Sequence, residues 1–321
     1  MADTIPRTLG IDICKARLDV HLLPDGIDKQ FANDASGLHA LMRWLTPLAP
    51  ERIVYEATGA YHRLLERMLG EAGQPIVKIN PQHSRAFARA SGQHAKTDRI
   101  DAAMLARFAA VMTPHVRPLR SQALDLLAEL LAARRALVKD RTATMARQKT
   151  LTIALLRRQA EQRLTQIVAQ IDAIDAECRR LMAVEPGLQR RLDILTSIPG
   201  IGPGAALALI VDMPELGALE NKQAASLAGL APVTRQSGQW RGKSFIQGGR
   251  TWIRRTLYMP ALVAIRFNPP LKAKYAQLKA AGKPAKAAIT AITAITAIMR
   301  KLVVLANALI RDSRIWHAEP A

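Results

Sequence analysis

Between Pro118 and Pro186 lie 67 consecutive residues with neither glycine nor proline. The stretch is rich in Leu, Ala, Arg and Gln, and nothing in it punctuates the backbone. It predicts one or two long helices, as an antiparallel pair or a coiled coil. A buried helix inside a single domain is the plainer reading; the length favours a spacer or an oligomerisation arm. The stretch divides the chain into residues 1–117, 118–186 and 187–321, enough for two modest domains with cores of their own.

The segment before the divide predicts a mixed α/β sheet. Residues 7–13 (RTLGIDI) read as a strand carrying a carboxylate, and 17–23 (RLDVHLL) alternate as its hairpin partner. Residues 36–46 predict a helix with Ser36 as N-cap. The apolar run Ile53-Val54-Tyr55 leads into Glu56, followed by a helix near 60–72, a strand at 75–79 and a helix from about 81. After the divide, residues 188–215 predict two helices around Ile198-Pro199-Gly200-Ile201-Gly202-Pro203-Gly204. Gly-rich basic turns come next, then helices near 251–266 and 284–312. The short repeat ITAITAITAI at 289–298 places Ile every third residue, so its apolar positions drift around a helix.

Charge points to a polyanionic partner. The chain holds 46 Lys and Arg against 26 Asp and Glu, a net +20. Residues 1–115 carry 14 basic and 12 acidic side chains, so the excess belongs to the remainder. Residues 235–314 hold 16 basic side chains, with Asp312 as the single acid. Nucleic acid explains so one-sided a stretch better than solubility does. The only cysteines, Cys14 and Cys178, fit a reduced cytoplasmic protein and supply neither a disulfide framework nor a Cys zinc site. The start Met1-Ala2-Asp3-Thr4 lacks a signal-peptide pattern, and no apolar run reaches about 18 residues, so no membrane partner is expected. The seven histidines are dispersed, without metal-ligand spacing.

Three constellations carry chemistry. Asp12 lies inside an apolar strand, where a charge is costly unless it is paired or binds a metal. Glu56 ends another apolar run, and Asp98 and Asp101 stand three apart, on one face of a helix. Four such carboxylates can hold two Mg²⁺ ions roughly 4 Å apart, with Mn²⁺ as the alternative. Taken singly, each also reads as a surface acid, a cap or an ion-pair partner. The second constellation is the turn with Gly200 and Gly202, which resembles a helix-hairpin-helix and would offer backbone N–H groups to phosphate; a tight interhelical turn would look the same. The third is Ser237 in RQSGQWRGK, where a serine next to glycine could approach a phosphate closely. By itself a Ser-Gly pair is an ordinary turn, and no Ser-His-Asp arrangement accompanies it. Arg235, Arg241, Lys243, Arg250, Arg254 and Arg255 are the cations that could contact phosphate there.

Taken together, GIDICK, EATGAY, KTDRIDA, SIPGIG, GLAP, RQSG and QGGR resemble one family. It is the DEDD insertion-sequence transposases, the family of insertion sequence one-hundred-and-ten. The match runs from about residue 7 to about 312, and KTDRIDA is its most specific piece. The resemblance implies a RuvC-like, RNase H-fold catalytic domain at 1–117, a helical dimerisation segment at 118–186 and a mainly α, basic transposase domain at 187–321. It implies metal ligation by Asp12, Glu56, Asp98 and Asp101, and a nucleophile at Ser237. The implied reaction is DNA cleavage through a covalent serine–DNA link, then strand exchange and rejoining without ATP. Implied partners are element and target DNA, a noncoding guide RNA and further copies of the chain, as a dimer or tetramer at the bacterial nucleoid. Two rivals use the same residues. A RuvC-type junction-resolving nuclease would employ water instead of Ser237, and a non-catalytic nucleic-acid-binding protein would need none of the carboxylates.

Overall fold

The computed structural model describes residues 6–57, 59–92, 97–116, 118–242, 244–281 and 287–317. The chain forms two units, Met1–Arg120 and Ser121–Ala321.

Unit 1 is built on β1 (Thr8–Ile13), β2 (Arg17–Leu23), β3 (Ile27–Ala32), β4 (Arg52–Glu56) and β5 (Ile76–Ile79). The sheet order is β3-β2-β1-β4-β5. The first three strands are antiparallel, while β4 runs parallel to β1 and β5 parallel to β4. Alternation sorts the side chains. Leu9, Ile11, Ile13, Ile53 and Tyr55 enter one core together with α1 (Ala35–Leu45) and α2 (Arg63–Glu71). Val54, Val77 and Ile79 enter another with α4 (Asp98–Met112), and Phe87 of α3 (Pro81–Ala90) packs against it.

Unit 2 begins with α5 (Gln122–Gln148) and α6 (Ala154–Val184), which pack together as a pair of long helices. The Arg134 guanidinium grips Asp175 across the pair with bonds of 2.6 and 2.9 Å. Leu127 and Leu131 of α5 and Cys178, Leu181 and Met182 of α6 belong to one core with α7 (Pro186–Ser197), α8 (Pro203–Asp212), α10 (Thr251–Phe267) and α12 (Ala287–Arg311). The helical pair is therefore rooted in the same core as the C-terminal helices. Also in this unit are α9 (Asn221–Leu227), α11 (Pro269–Ala280) and the two-residue strands β6 (Pro232–Val233), β7 (Gln236–Ser237), β8 (Trp240–Arg241) and β9 (Phe245–Ile246).

Several local expectations need correction. The N-cap of α1 is Asp34, whose carboxylate accepts from Gly37 N at 2.8 Å, and Ser36 donates to that same carboxylate at 2.8 Å. A charged acceptor suits a helix N-terminus better than a hydroxyl does. β3 and α11 were not anticipated. β3 is a half-exposed edge strand with little apolar alternation. α11 opens on Pro269-Pro270, which reads as a breaker but suits the first turn, with Asn268 as cap accepting from Leu271 N. By length and hydropathy, residues Thr293–Arg311 could cross a membrane. Within α12, however, Ile295, Ile298, Leu302, Val303 and Ala306 are buried in the core, so the second half of the ITA repeat faces inward.

Candidate active site

Three alternate residues of β1, all on one face of the sheet, determine the site. Thr8 Oγ donates to the Ala106 carbonyl at 3.0 Å, and both are buried. Gly10 lies against α4 so closely that a Cβ there would stand 2.0 Å from Ala102 O and 2.4 Å from Ala106 N. Only a residue without a side chain permits that approach. Asp12, two residues on, therefore meets the first turn of α4, which carries Asp98 and Asp101. Thr97 caps this helix, accepting from Ile100 N at 3.3 Å, and acids in the first turn favour the helix dipole.

The sheet register completes the row. Asp12 pairs directly with Asp19 of β2. Gly10 pairs with Val54 of β4, so the same register carried two residues on brings Asp12 level with Glu56 on the same face. Burial, followed by the charges of Asp101 and Asp98, pushes the Asp12 carboxyl up to about 6. Glu56 accepts from the buried Ser84 hydroxyl at 2.7 Å. Arg17 bridges two acids, with Nε 3.0 Å from Asp19 and Nη2 2.6 Å from Asp98. Arg99 ties the same helical turn to Asp28 at 2.6 Å.

A basic cluster stands beyond Glu56. Burial would raise the Glu66 carboxyl, but hydrogen bonds and charge from His62 and Lys78 outweigh it and hold the group at about 2. Lys78 Nζ lies 2.7 Å from Glu66, and His62 Nδ1 lies 2.6 Å from the Gly59 carbonyl. His62 also stacks on Tyr55, so this network anchors the segment that leaves β4.

The carboxylates fit a divalent cation in their chemistry: all are hard oxygen donors, and a cation would offset the burial and the repulsion that raise Asp12. Among the described residues, no three His, Cys, Asp or Glu side chains stand close enough to hold one ion as they are placed. Asp98 is turned onto Arg17 instead.

Ser237 lies in unit 2, on a ribbon where β7 pairs with β8 across the Gly238-Gln239 turn. It is exposed, and its hydroxyl has no hydrogen-bond partner among the described residues. Arg235, one step back, stacks on Phe245 at 5.0 Å. The other expected phosphate contacts fall into two groups. Arg250 clamps Glu215 at 2.7 and 2.8 Å, and Arg254 donates to the carbonyls of Gly229 and Gly248, so both tie the root of the ribbon. Arg255 faces outward over Trp252 at 5.3 Å. A Cβ on Gly200 would stand 2.6 Å from the Pro260 carbonyl, so this glycine seats its turn on α10, while Gly202 is exposed at the start of α8. Lys243 and the Arg241 side chain lie outside the described residues, as do Thr58 and Lys96 of the acidic motifs. Thr8, Gly10, Arg17, Asp19 and Ser84 escaped the sequence reading. The alternation Thr-x-Gly-x-Asp was the one available signal.

Residues 9–176 match the DEDD transposase family of IS110, and residues 192–276 match the family described as Transposase IS116/IS110/IS902. The chain belongs to the IS110 family of transposases. It is similar to the pilin gene-inverting proteins of Moraxella lacunata and Moraxella bovis, at 30% identity over 320 residues, covering 95% of this chain and 96% of each relative. An uncharacterised protein of insertion element IS110 from Streptomyces coelicolor is 26% identical over 157 residues, 48% of this chain and 36% of its own length. A DEDD transposase domain implies an RNase H-like fold, with which the five-stranded mixed sheet of unit 1 is compatible. The IS110-family member described here is a DNA recombinase, DNA is its partner, and DEDD domains of this kind are typically dependent on divalent metal.

Proposed function

We propose that this transposase cuts and rejoins DNA through a covalent Ser237–DNA link, with Mg²⁺ or Mn²⁺ held by Asp12, Glu56, Asp98 and Asp101. The observation that carries the reading is the carboxylate row, in which Asp12 and Glu56 lie near the C-terminal ends of neighbouring parallel strands and Asp12 meets the acidic first turn of α4. A divalent ion there would act as a Lewis acid on the phosphoryl oxygen and favour the ionised nucleophile. Arg17 would then release Asp98 and keep Asp19.

The Ser237 hydroxyl loses its proton to water, its Oγ forms a bond to phosphorus, and the P–O bond to one deoxyribose oxygen breaks, that oxygen taking a proton from water to leave as a hydroxyl. A second DNA hydroxyl later displaces Oγ, so one phosphodiester replaces another and no ATP is consumed. The gene-inverting relatives favour this over hydrolysis, because inversion must rejoin every strand it cuts. Residues 1–117 serve as the catalytic domain and 187–321 as the transposase domain, with the turn before α8 as a helix-hairpin-helix-like contact to phosphate. Residues 118–186 serve as a dimer- or tetramer-forming arm; Met145, Ile153 and Leu155 are exposed where α5 gives way to α6. A noncoding RNA guides target choice, in the cytoplasm at the nucleoid.

The test incubates the protein with Mg²⁺, its noncoding RNA and labelled junction DNA, and runs denaturing gels for a protein–DNA adduct. An adduct that vanishes in Ser237→Ala is the expected result. Cleavage without an adduct, unchanged in that variant, would overturn the serine mechanism in favour of a water-using nuclease. Intact activity in Asp12→Ala would remove the carboxylates from the mechanism and leave a binding protein.

A further inference from the structure

The outer face of α10 presents Trp252, Arg255, Met259, Val263, Arg266 and Phe267, all exposed, over a helix length of about 22 Å. The inner face, with Ile253, Leu257, Ala261 and Ala264, is fully buried in the core of unit 2. So the helix is fixed and its outer stripe is a rigid surface. Trp252 is 52% exposed, Met259 62% and Phe267 68%. Two guanidinium groups converge on the Trp252 ring, Arg135 of α5 at 5.1 Å and Arg255 at 5.3 Å. Arg135 is itself held by an ion pair to Asp212, whereas Arg255 and Arg266 have no carboxylate partner among the described residues.

We propose that this face binds unpaired nucleic acid, with bases stacked on Trp252 and its neighbouring apolar side chains and phosphates paired to Arg255 and Arg266. It deepens the DNA-recombinase reading above and rests on it. Two properties select this partner. The stripe interleaves flat or apolar groups with unpaired cations, the combination that stacks bases while neutralising the backbone. Arg255 and Arg266 have no carboxylate partner among the described residues, so a protein partner would meet their positive charge, whereas a polyanion is complementary to it. A duplex keeps its bases stacked inside and offers Trp252 nothing to stack on. Strand exchange, by contrast, must expose single strands.

The experiment measures fluorescence anisotropy of labelled oligo(dT) and of a duplex of equal length, using full-length Ser237→Ala protein so that cleavage plays no part. Trp252→Ala in that background should weaken oligo(dT) binding roughly 5- to 100-fold, with Trp252→Phe recovering most of it and duplex binding much less affected. Arg255→Ala should weaken binding and reduce the steepness of its salt dependence by about one phosphate contact. Unchanged oligo(dT) affinity in both Trp252→Ala and Arg255→Ala would overturn the proposal. So would a fall in oligomer mass in Trp252→Ala with oligonucleotide affinity intact, which would give the face to a second copy. Absence of a serine adduct in the wild type would refute the serine mechanism while leaving this binding result standing.

Discussion

The two candidate sites of this protein are built in opposite ways. The carboxylate row of unit 1 sits where a strand and a helix touch backbone to backbone, with Thr8, Gly10 and Asp12 lined up against α4. Ser237 rides an exposed two-residue strand paired only with β8, and its hydroxyl has no hydrogen-bond partner among the described residues. The difference follows from electrostatics. Burial first, then the charges of Asp101 and Asp98, raise Asp12 to about 6, and such acids would move apart and into water unless a stiff scaffold opposed it. A neutral hydroxyl repels nothing, so it can sit on an exposed ribbon. Unit 1 has spent stability on its site, and the ribbon of unit 2 has not.

Substitutions should separate the two regions by their effect on stability. Gly10→Ala should cost most, about 3 kcal/mol or more, because its Cβ would overlap backbone atoms of α4 that cannot rotate away. Hydrogen exchange of the β1 and α4 amides reads it directly, and near-normal protection would break the contrast. Asp12→Asn should be smaller and of opposite sign, a gain of about 1–2 kcal/mol at neutral pH once partial exposure is allowed for. The folded carboxyl, at about 6, holds its proton more tightly than the unfolded one near 3.8. Wild-type stability therefore falls as pH rises through this window. The advantage of Asn should be absent below about pH 4 and complete above about pH 6. Urea unfolding of both proteins across that range tests it, and an advantage independent of pH would remove the charge explanation. Ser237→Ala should be the mildest, within about 0.5 kcal/mol in the same unfolding experiment while abolishing the adduct. A clear destabilisation would mean that the hydroxyl supports the ribbon.

Much of this site was legible because its signals are local. Asp98 and Asp101 share a helix face by spacing alone, and the apolar runs before Asp12 and Glu56 announce strands. Errors arose where local signals competed. Asp34 and Ser36 are both good caps, and Asp34 wins because its charged oxygen reaches Gly37 N. Pro269-Pro270 signals both a stop and a start, and Asn268 decides for a start by capping Leu271.

The sequence by itself determined most of the elements, the concentration of positive charge after residue 115 and which residues are candidates for the chemistry. Only tertiary structure decided that Asp12 stands beside Asp19 and level with Glu56, that α4 crosses β1 over Gly10, and that Arg17 bridges Asp19 and Asp98. Those facts join residues as many as 98 positions apart, as from Thr8 to Ala106. Helix spacing and strand alternation are set by the backbone within a few residues. Register and docking are set by which non-local surfaces exclude water together, and that is decided only when the whole sheet has formed.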